Sequence, residues 1–423
     1  MANNLDSNFT RILAKVFLEK MESARILSKN VDTQLLTGKF NPSTGSNVDF
    51  KRPTDYRTVR TSDGDVSGET KSDIIAGKAT GTVQDYFTAF ADYSEADEAI
   101  KLDQLDQLLA PMARRIVTDL EVDFAAYMMK NSALLSGAVG NAVDTWDEVA
   151  RAGAVMQANG VPADSPWYYA VNPYTQIKLA GVQRAIGAAD PLVSEAFRKA
   201  IIADNFGGMT VMTAATLATY TTGTGADRAG TLSANPTVTY VGAKDTMTQV
   251  LAVTAFQANL VVAAGETITI TGRNRLNLST RQPVIDETGA VVVWSGTVTA
   301  EVTLDGSGAG NLVVTGPAIY EANGQYNTTD SAAVSGDVVT LSGAATTLYQ
   351  PNLFWHKQAF SIGSVPIKKL YATDTLATTE DGLQIRVCKY SDGDANKQKV
   401  RFDLRPAYGV MNPFFAGQSF GVA

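Results

Sequence analysis

The chain has one cysteine and one histidine among its 423 residues. The single cysteine, Cys388, excludes an intramolecular disulfide framework and fits a reducing compartment. The single histidine, His356, leaves too few imidazole and thiolate groups for the common zinc sites and for Ser or Cys triads. The sequence therefore predicts no catalytic residue, no metal site and no cofactor.

Charge and long apolar runs are also scarce. Charged residues make up 18% of the chain, and no basic run exceeds Arg114-Arg115 or Lys368-Lys369. Tight nucleic-acid binding needs clustered Lys and Arg to displace counterions, so it is not expected here. The apolar runs are too short for a membrane span, and the start of the chain lacks the pattern of a secretory signal. We expect no membrane contact and a location in the cytoplasm where the chain is made.

Two motif matches lack the context that their chemistry needs. Gly417–Gly421 fits the G-x-S-x-G nucleophile elbow, but no histidine follows it and no helix has room to form. Asp392–Asn396 resembles the start of a calcium loop, but Lys397 stands where the sharp turn needs glycine. Cys388 lies in an alternating stretch typical of a buried strand. These matches are interpreted as strand and turn residues.

Hydrophobic residues make up 45% of the chain, enough for a large core divided between two or three domains. Apolar residues at helical spacing predict an amphipathic helix from about Phe9 to Leu27. Its other face carries Arg11, Lys15 and Lys20. Periodicity does not say what the apolar stripe covers, so the helix either packs on its own core or forms a partner-binding arm.

From about Asn41 to Asp92 the pattern changes to short extended pieces broken by turns. Such a stretch is either a solvated hairpin or an arm that reaches a neighbouring subunit. Its candidate contact residues are the charged Lys51, Arg52, Arg57, Arg60, Asp63, Asp65 and Glu69.

A long helix is predicted next. Ser94 and Asp97 form an S-x-x-D cap, and Ile116, Leu120 and Phe124 belong to a long apolar stripe. About 35 residues would span roughly 50 Å. Pro111 should kink this helix or divide it in two.

Alternating helices and strands follow, which indicates an α+β domain. The predicted elements are a helix at Trp146–Gln157, a strand at Trp167–Val171, a turn at Asn172-Pro173, a helix through Gln176–Leu179, a helix around Leu192–Ala203 and a strand at Gly208–Met212.

Residues 223–345 are dominated by Thr, Val, Gly and Ala, and they predict an all-β insertion, either a sandwich or a barrel. A final hairpin is predicted at Ile385–Tyr390 and Val400–Leu404. The predicted strands of the insertion are Thr237–Val241, Val250–Ala255, Thr267–Thr271, Val291–Trp294, Thr297–Leu304 and Val338–Leu341.

The order of these elements resembles the coat proteins of short-tailed phages, which have the Hong Kong ninety-seven type capsid fold. Four short patches are similar as well: Tyr168–Pro173, Asn205–Val211, Asn352–Trp355 and Tyr408–Val410. The resemblance implies an N-terminal helical arm (1–40), an extended loop (41–93), a spine helix with the first part of the peripheral and axial domains (94–222), an inserted telokin-like, immunoglobulin-like domain (223–345) and the rest of the peripheral and axial domains (346–423).

The function implied by this resemblance is structural. The chain would assemble into an icosahedral shell of hexamers and pentamers through a procapsid that matures on DNA packaging. A separate scaffolding protein and a portal protein would be partners, and double-stranded DNA would be enclosed without sequence-specific binding. The virion would assemble in the host bacterial cytoplasm. Two alternatives stay open: a β-rich surface-layer or adhesin-like protein, and an enzyme with a β appendage.

Overall fold

A computed structural model describes residues 10–12, 14, 15, 17–19, 25–33, 35, 45–52, 54–69, 71–94, 105–185, 202, 204–392, 394 and 397–422. The chain divides into two compact units. The first comprises Met1–Asp49, Thr80–Ala125 and Phe360–Val410. The second comprises Phe50–Ala79, Ala126–Ala359 and Met411–Ala423.

The helices are α1 (Leu105–Lys130), α2 (Trp146–Ala158), α3 (Pro173–Ala185) and α4 (Tyr240–Ala243), with a 3-10 turn at Pro413–Phe415. The strands up to residue 232 are β1 (Asn47–Lys51), β2 (Lys78–Val83), β3 (Phe87–Ser94), β4 (Leu134–Ser136), β5 (Trp167–Val171), β6 (Asn205–Phe206), β7 (Met209–Thr213), β8 (Tyr220–Thr221) and β9 (Ala229–Leu232). The later strands are β10 (Thr248–Thr254), β11 (Val261–Val262), β12 (Thr267–Asn274), β13 (Val293–Val298), β14 (Val302–Thr303), β15 (Gly310–Thr315), β16 (Val338–Leu341), β17 (Leu348–Tyr349), β18 (Asn352–His356), β19 (Phe360–Ser364), β20 (Thr375–Thr378), β21 (Gln384–Asp392), β22 (Lys397–Leu404), β23 (Pro406–Val410) and β24 (Ala416–Ser419).

The first unit contains an antiparallel sheet with the strand order β20-β21-β22-β3. Strands β21 and β22 pair along their length, which confirms the hairpin predicted near the end of the chain. Strand β3 pairs with β22 as far as Ser94, which lies opposite Lys397. The prediction that Ser94 caps the long helix stays a prediction, because the residues that would follow such a cap, 95–104, lie outside the described residues. Asp97, the other residue of that cap, lies outside the described residues.

The long helix is present as α1, which runs for 26 residues and passes through Pro111 without a break in its assignment. At 1.5 Å per residue these 26 residues span about 39 Å, and the predicted part before them, residues 95–104, lies outside the described residues. Of the two effects expected of Pro111, a kink or a division of the helix, the division was wrong, because the residues on both sides of Pro111 belong to the same helix. The predicted stripe is buried at Ile116, Leu120 and Phe124, and Phe124 packs against Tyr408 with ring centroids 5.1 Å apart.

The N-terminal segment is helical at residues 10–12, 14, 15 and 17–19. Residues 26–30 are turns and bends, so the predicted extension of this helix to Leu27 was wrong. The turn replaces the helix because the Glu121 carboxylate accepts the backbone N–H groups of Ile26, Leu27 and Ser28, which in a helix would bond to preceding carbonyl groups.

The second unit contains a mixed sheet with the order β4-β24-β18-β5-β7-β6. All five residues of the central strand β18 are buried. The strand predicted at Trp167–Val171 is confirmed as β5, and Asn172 then begins helix α3 by accepting the Thr175 N–H on its side-chain oxygen at 2.7 Å. The helix predicted at Leu192–Ala203 lies outside the described residues apart from Ile202.

The predicted all-β insertion forms a closed barrel with the order β10-β15-β13-β12-β16-β9. Its core includes Trp294, whose indole Nε1 donates to the Gly316 carbonyl at 3.1 Å. A closed barrel differs from the two-sheet sandwich of an immunoglobulin-like domain, so that implied detail is corrected. The strand predicted at Thr237–Val241 was also wrong, because Thr239 caps the short helix α4 by accepting the Gly242 N–H.

Candidate assembly surfaces

The extended loop has two stems, one near Asp55 and the other near residues 73–75. Both stems are hydrogen-bonded to the barrel segment of the same unit. Gln325 Nε2 donates to the backbone carbonyls of Asp55 at 2.9 Å and Asp73 at 2.8 Å, so one amide holds both stems. The Tyr326 hydroxyl accepts the Asp55 N–H at 3.1 Å and lies 3.4 Å from the Ile75 carbonyl. The spacing of the stems is therefore fixed by the side chains of two adjacent residues.

Two further contacts hold the base of the loop. Arg281 forms an ion pair with the Asp55 carboxylate at 2.5 Å and donates to the Asn327 carbonyl at 2.8 Å. The Tyr326 ring stacks on Tyr240 with centroids 3.6 Å apart. Sequence reasoning missed these anchors, because their partners lie nearly two hundred residues or more from the loop in sequence.

The distal part of the loop, residues 57–72, has no regular strand in its described residues 57–69, 71 and 72. The Asp63 carboxylate accepts the Asp65 N–H at 3.1 Å, and the Asp65 carboxylate accepts the Ser67 N–H at 2.9 Å. The hydrogen bonds from Ser67 lower the pKa of Asp65. Together the two backbone contacts support two consecutive turns. The candidate contact residues Lys51, Arg57, Arg60, Asp63, Asp65 and Glu69 are all exposed.

Arg52 was assigned to the same contact surface, and that assignment was wrong. Its side chain is buried, and the guanidinium donates to the Lys78 carbonyl at 3.1 Å and to the Met411 carbonyl. Burial lowers the pKa of Arg52 to about 10. Strand β1 buries Val48 and Phe50, and Arg52 continues the same alternation, which is the sequence signal that could have identified it.

The N-terminal segment packs on its own unit through one face. Phe17 stacks on Phe402 with centroids 5.1 Å apart, and the buried Thr10 hydroxyl donates to the Thr373 carbonyl at 3.0 Å. Arg11 and Lys15 are exposed on the other side, whereas Lys20 lies outside the described residues. This geometry leaves two cations accessible and buries Phe17, whereas Ile12 is 53% exposed.

The residues that resembled catalytic groups are core residues. Ser419 is fully buried in β24, and its hydroxyl accepts from Tyr169 at 2.9 Å. Burial raises the pKa of Cys388 to about 12, which makes the thiol inert. Burial lowers the pKa of His356 against the opposing effect of Asp164 at 3.4 Å. Within the described part of the chain, no cluster of His, Cys, Asp and Glu is suited to a metal ion.

A family described as P22 coat protein, gene protein 5, matches residues 1–421. The chain belongs to the P22 coat protein family. A major capsid protein of Acyrthosiphon pisum secondary endosymbiont phage 1 is 38% identical to it over 424 residues, with both chains fully covered. As a member of this coat-protein family, the chain is a structural protein of a phage capsid, where copies of it assemble into the shell, and it is not an enzyme.

Solved structures similar to this coat protein include a chain of Mycobacterium phage Che8, with a TM-score of 0.45, 11% identity and coverage of 93% of this chain and 90% of that one. The capsid of Ralstonia phage GP4 has a TM-score of 0.43 at 9% identity and covers 94% of this chain and 91% of that one. Among the described residues, no helix combines the length and the apolar character needed to cross a bilayer.

Proposed function

We propose that this capsid protein forms hexamers and pentamers of an icosahedral shell, and that residues 57–72 bind a neighbouring subunit. The observation that carries this proposal is the contrast between the fixed stems of the loop and its exposed distal part. Side chains of Gln325 and Tyr326 hold the stems, so the charges beyond them are presented in a defined place.

Apolar exposure in the loop supports the same proposal. The side chains of Tyr56, Val66 and Ile74 are 56%, 50% and 78% exposed, respectively. Large apolar side chains grouped with charges are typical of protein interfaces, where burial in a partner removes them from water. Charges paired across such an interface are partly desolvated. Each pair therefore stabilises the complex more than an exposed surface pair does.

Reversal of the loop charges in an Arg57→Glu and Arg60→Glu double variant should block shell formation. Neither side chain forms an ion pair among the described residues. The double variant should therefore lower the free energy of unfolding by less than about 1 kcal/mol. Assembly is measured by sedimentation and electron microscopy, and folding by urea denaturation of the subunit.

The matched control is the Arg57→Lys and Arg60→Lys double variant, which keeps both charges and should assemble. Normal shells from the charge-reversed variant would refute the contact. Loss of the folded subunit in that variant would instead move the role of these residues from assembly to folding.

We also propose that assembly uses a separate scaffolding protein and a portal protein, and that the shell forms in the host bacterial cytoplasm and encloses double-stranded DNA without reading its sequence. The exposed Arg11 and Lys15 of the N-terminal arm, with Lys20, would bind acidic groups of the scaffold. The chain carries a net charge of -8, which suits a container that must not hold its DNA tightly.

Replacing Arg11 and Lys15 by Glu should weaken scaffold binding at least tenfold, since opposite charges across an interface become like charges. The affinity of purified scaffolding protein for the subunit is measured by sedimentation at two salt concentrations. The Arg11→Lys variant serves as the control, because it keeps the positive charge at this position. Equal scaffold affinity in the charge-reversed variant would contradict the proposed contact.

The domain boundaries remain a proposal, and residues 223–345 are the segment that can be tested alone. All strands of the barrel lie between Ala229 and Leu341, and its core cluster is internal to this segment. The isolated segment should show strand-rich circular dichroism and a cooperative urea transition. The control is the Trp294→Ala variant of the same segment, which should lower the midpoint sharply. A noncooperative transition in the unsubstituted segment would show that the barrel depends on the rest of the chain.

A further inference from the structure

A surface segment of the first unit exposes four consecutive side chains, those of Lys368, Lys369, Leu370 and Tyr371. It lies in the connection between β19 and β20. Leu370 is 58% exposed and Tyr371 is 49% exposed. Neither lysine forms an ion pair among the described residues. Residues 368–371 are called the basic segment below.

The backbone of the basic segment is held by buried charged side chains. Asp374 is 1% exposed, and its carboxylate accepts the N–H groups of Leu370 at 2.7 Å and of Tyr371 at 2.9 Å. Arg386 is 6% exposed and donates from Nη1 to the Lys368 carbonyl at 2.7 Å. A segment fixed in this way loses little conformational freedom when a partner binds, which favours binding.

The two apolar side chains of the segment lie beside the lysines in sequence. The Tyr371 ring stacks on Tyr390 of β21 with centroids 5.6 Å apart, which fixes the position of the ring. Exposed aromatic and aliphatic side chains bordered by charge are typical of protein interfaces. A surface that fits the basic segment must therefore combine negative charge with an apolar side chain.

The distal loop of a second copy has this combination. Residues 61–70 carry three acidic side chains, those of Asp63, Asp65 and Glu69, and no basic one. Val66 lies among them and is 50% exposed. The basic segment is opposite in sign, because residues 365–373 carry two lysines and no acidic side chain. The two surfaces are therefore complementary in charge, and each exposes an aliphatic side chain.

We propose that the basic segment of one subunit binds residues 61–70 of a neighbouring copy, with its lysines facing the loop carboxylates and Leu370 against Val66. This contact rests on the proposed function of the loop, and it specifies the surface that receives the loop. Copies of this chain form the shell, so every copy supplies both surfaces. Single exposed ion pairs are weak, and the contact becomes effective because it is repeated around the shell.

Charge reversal in a Lys368→Glu and Lys369→Glu double variant should abolish closed shells in sedimentation and electron microscopy. Both side chains are exposed and form no ion pair within the described part of the chain, so the urea midpoint of the subunit should not change. The Lys368→Arg and Lys369→Arg control keeps the charge and should assemble. Normal shells from the charge-reversed variant would overturn the proposal.

A Lys368→Gln and Lys369→Gln variant removes the charge without reversing it. It should reduce the yield of shells at least tenfold, and it replaces the glutamate variant if urea denaturation shows that the latter does not fold.

Charge exchange identifies the partner surface. An Asp63→Lys and Glu69→Lys loop variant should abolish shells by itself. The chain that carries these two substitutions together with the two lysine-to-glutamate substitutions should form shells again, because opposite charges then face each other. A folded four-substitution chain that forms no shells would overturn the pairing of the loop with the basic segment.

Arg57 and Arg60 are unchanged in all of these variants. Failure of the pairing is therefore distinguishable from failure of the loop contact as a whole, which the Arg57→Glu and Arg60→Glu variant tests.

Discussion

Replacement of Glu121 by alanine should lower the free energy of unfolding by about 3 kcal/mol or more. The Glu121 carboxylate is 1% exposed and accepts three backbone N–H groups, from Ile26 at 3.2 Å, Leu27 at 2.7 Å and Ser28 at 3.0 Å. It also accepts the Ser28 hydroxyl. Alanine would leave these donors without an acceptor, and each unsatisfied buried donor costs about 1–3 kcal/mol.

Urea denaturation of the subunit measures this loss. Asp123→Ala is the matched control, since it removes an exposed carboxylate from the same helix and should change stability by less than about 0.5 kcal/mol. Glu121→Gln keeps one carbonyl oxygen and should fall between the two. Equal stability of Glu121→Ala and Asp123→Ala would show that water replaces the carboxylate at the turn.

Replacement of Glu266 by alanine should destabilise the barrel by about 3–5 kcal/mol. Glu266 and Arg228 form a buried ion pair whose side chains are 0% and 6% exposed, and Glu266 also accepts the Ala263 N–H at 2.8 Å. Removing the carboxylate leaves the guanidinium buried without a counter-charge. The Nε and Nη1 atoms of Arg228 already lack partners, so the described residues offer the guanidinium no second acceptor.

The double variant Arg228→Met and Glu266→Leu should recover most of the loss, because an apolar pair avoids the desolvation cost of both charges. Burial raises the pKa of Glu266 despite the opposing effect of Arg228. A raised folded-state pKa favours the protonated form, so the contribution of this group is present below the unfolded-state pKa and is lost as pH rises through the folded-state value. Urea midpoints measured across that interval should therefore vary less with pH in the double variant. A double variant as unstable as Glu266→Ala would refute this account.

Local patterns predicted those elements whose hydrogen bonds are local or whose burial is periodic. The helix at Trp146, the strand at Trp167–Val171 and the final hairpin agree with the structure because alternation or helical spacing determines each of them. The closure of the barrel could not be read from sequence, since it depends on the pairing of β9 with β10 and β16.

Polar groups inside the fold were the hardest features to predict. The pairing of β3 with β22 as far as Ser94 had no local signal, because the S-x-x-D pattern there predicts only a helix cap. Nothing in the sequence indicated that the Glu121 carboxylate is buried, because the backbone N–H groups that it accepts lie more than ninety residues away. In the candidate contact loop, the charged residues were identified correctly as exposed apart from Arg52, whereas the side chains that anchor the stems had no sequence signal.

Closure of the six barrel strands has a consequence for a protein that acts in many copies held close together. An open sheet exposes unpaired N–H and C=O groups along its edge strands, and these can pair with the same edge of another copy. A shell keeps its subunits at a very high local concentration, which would favour such unintended pairing during assembly. The closed barrel leaves no free edge among its own strands, so neighbouring barrels can touch through side chains without fusing their sheets.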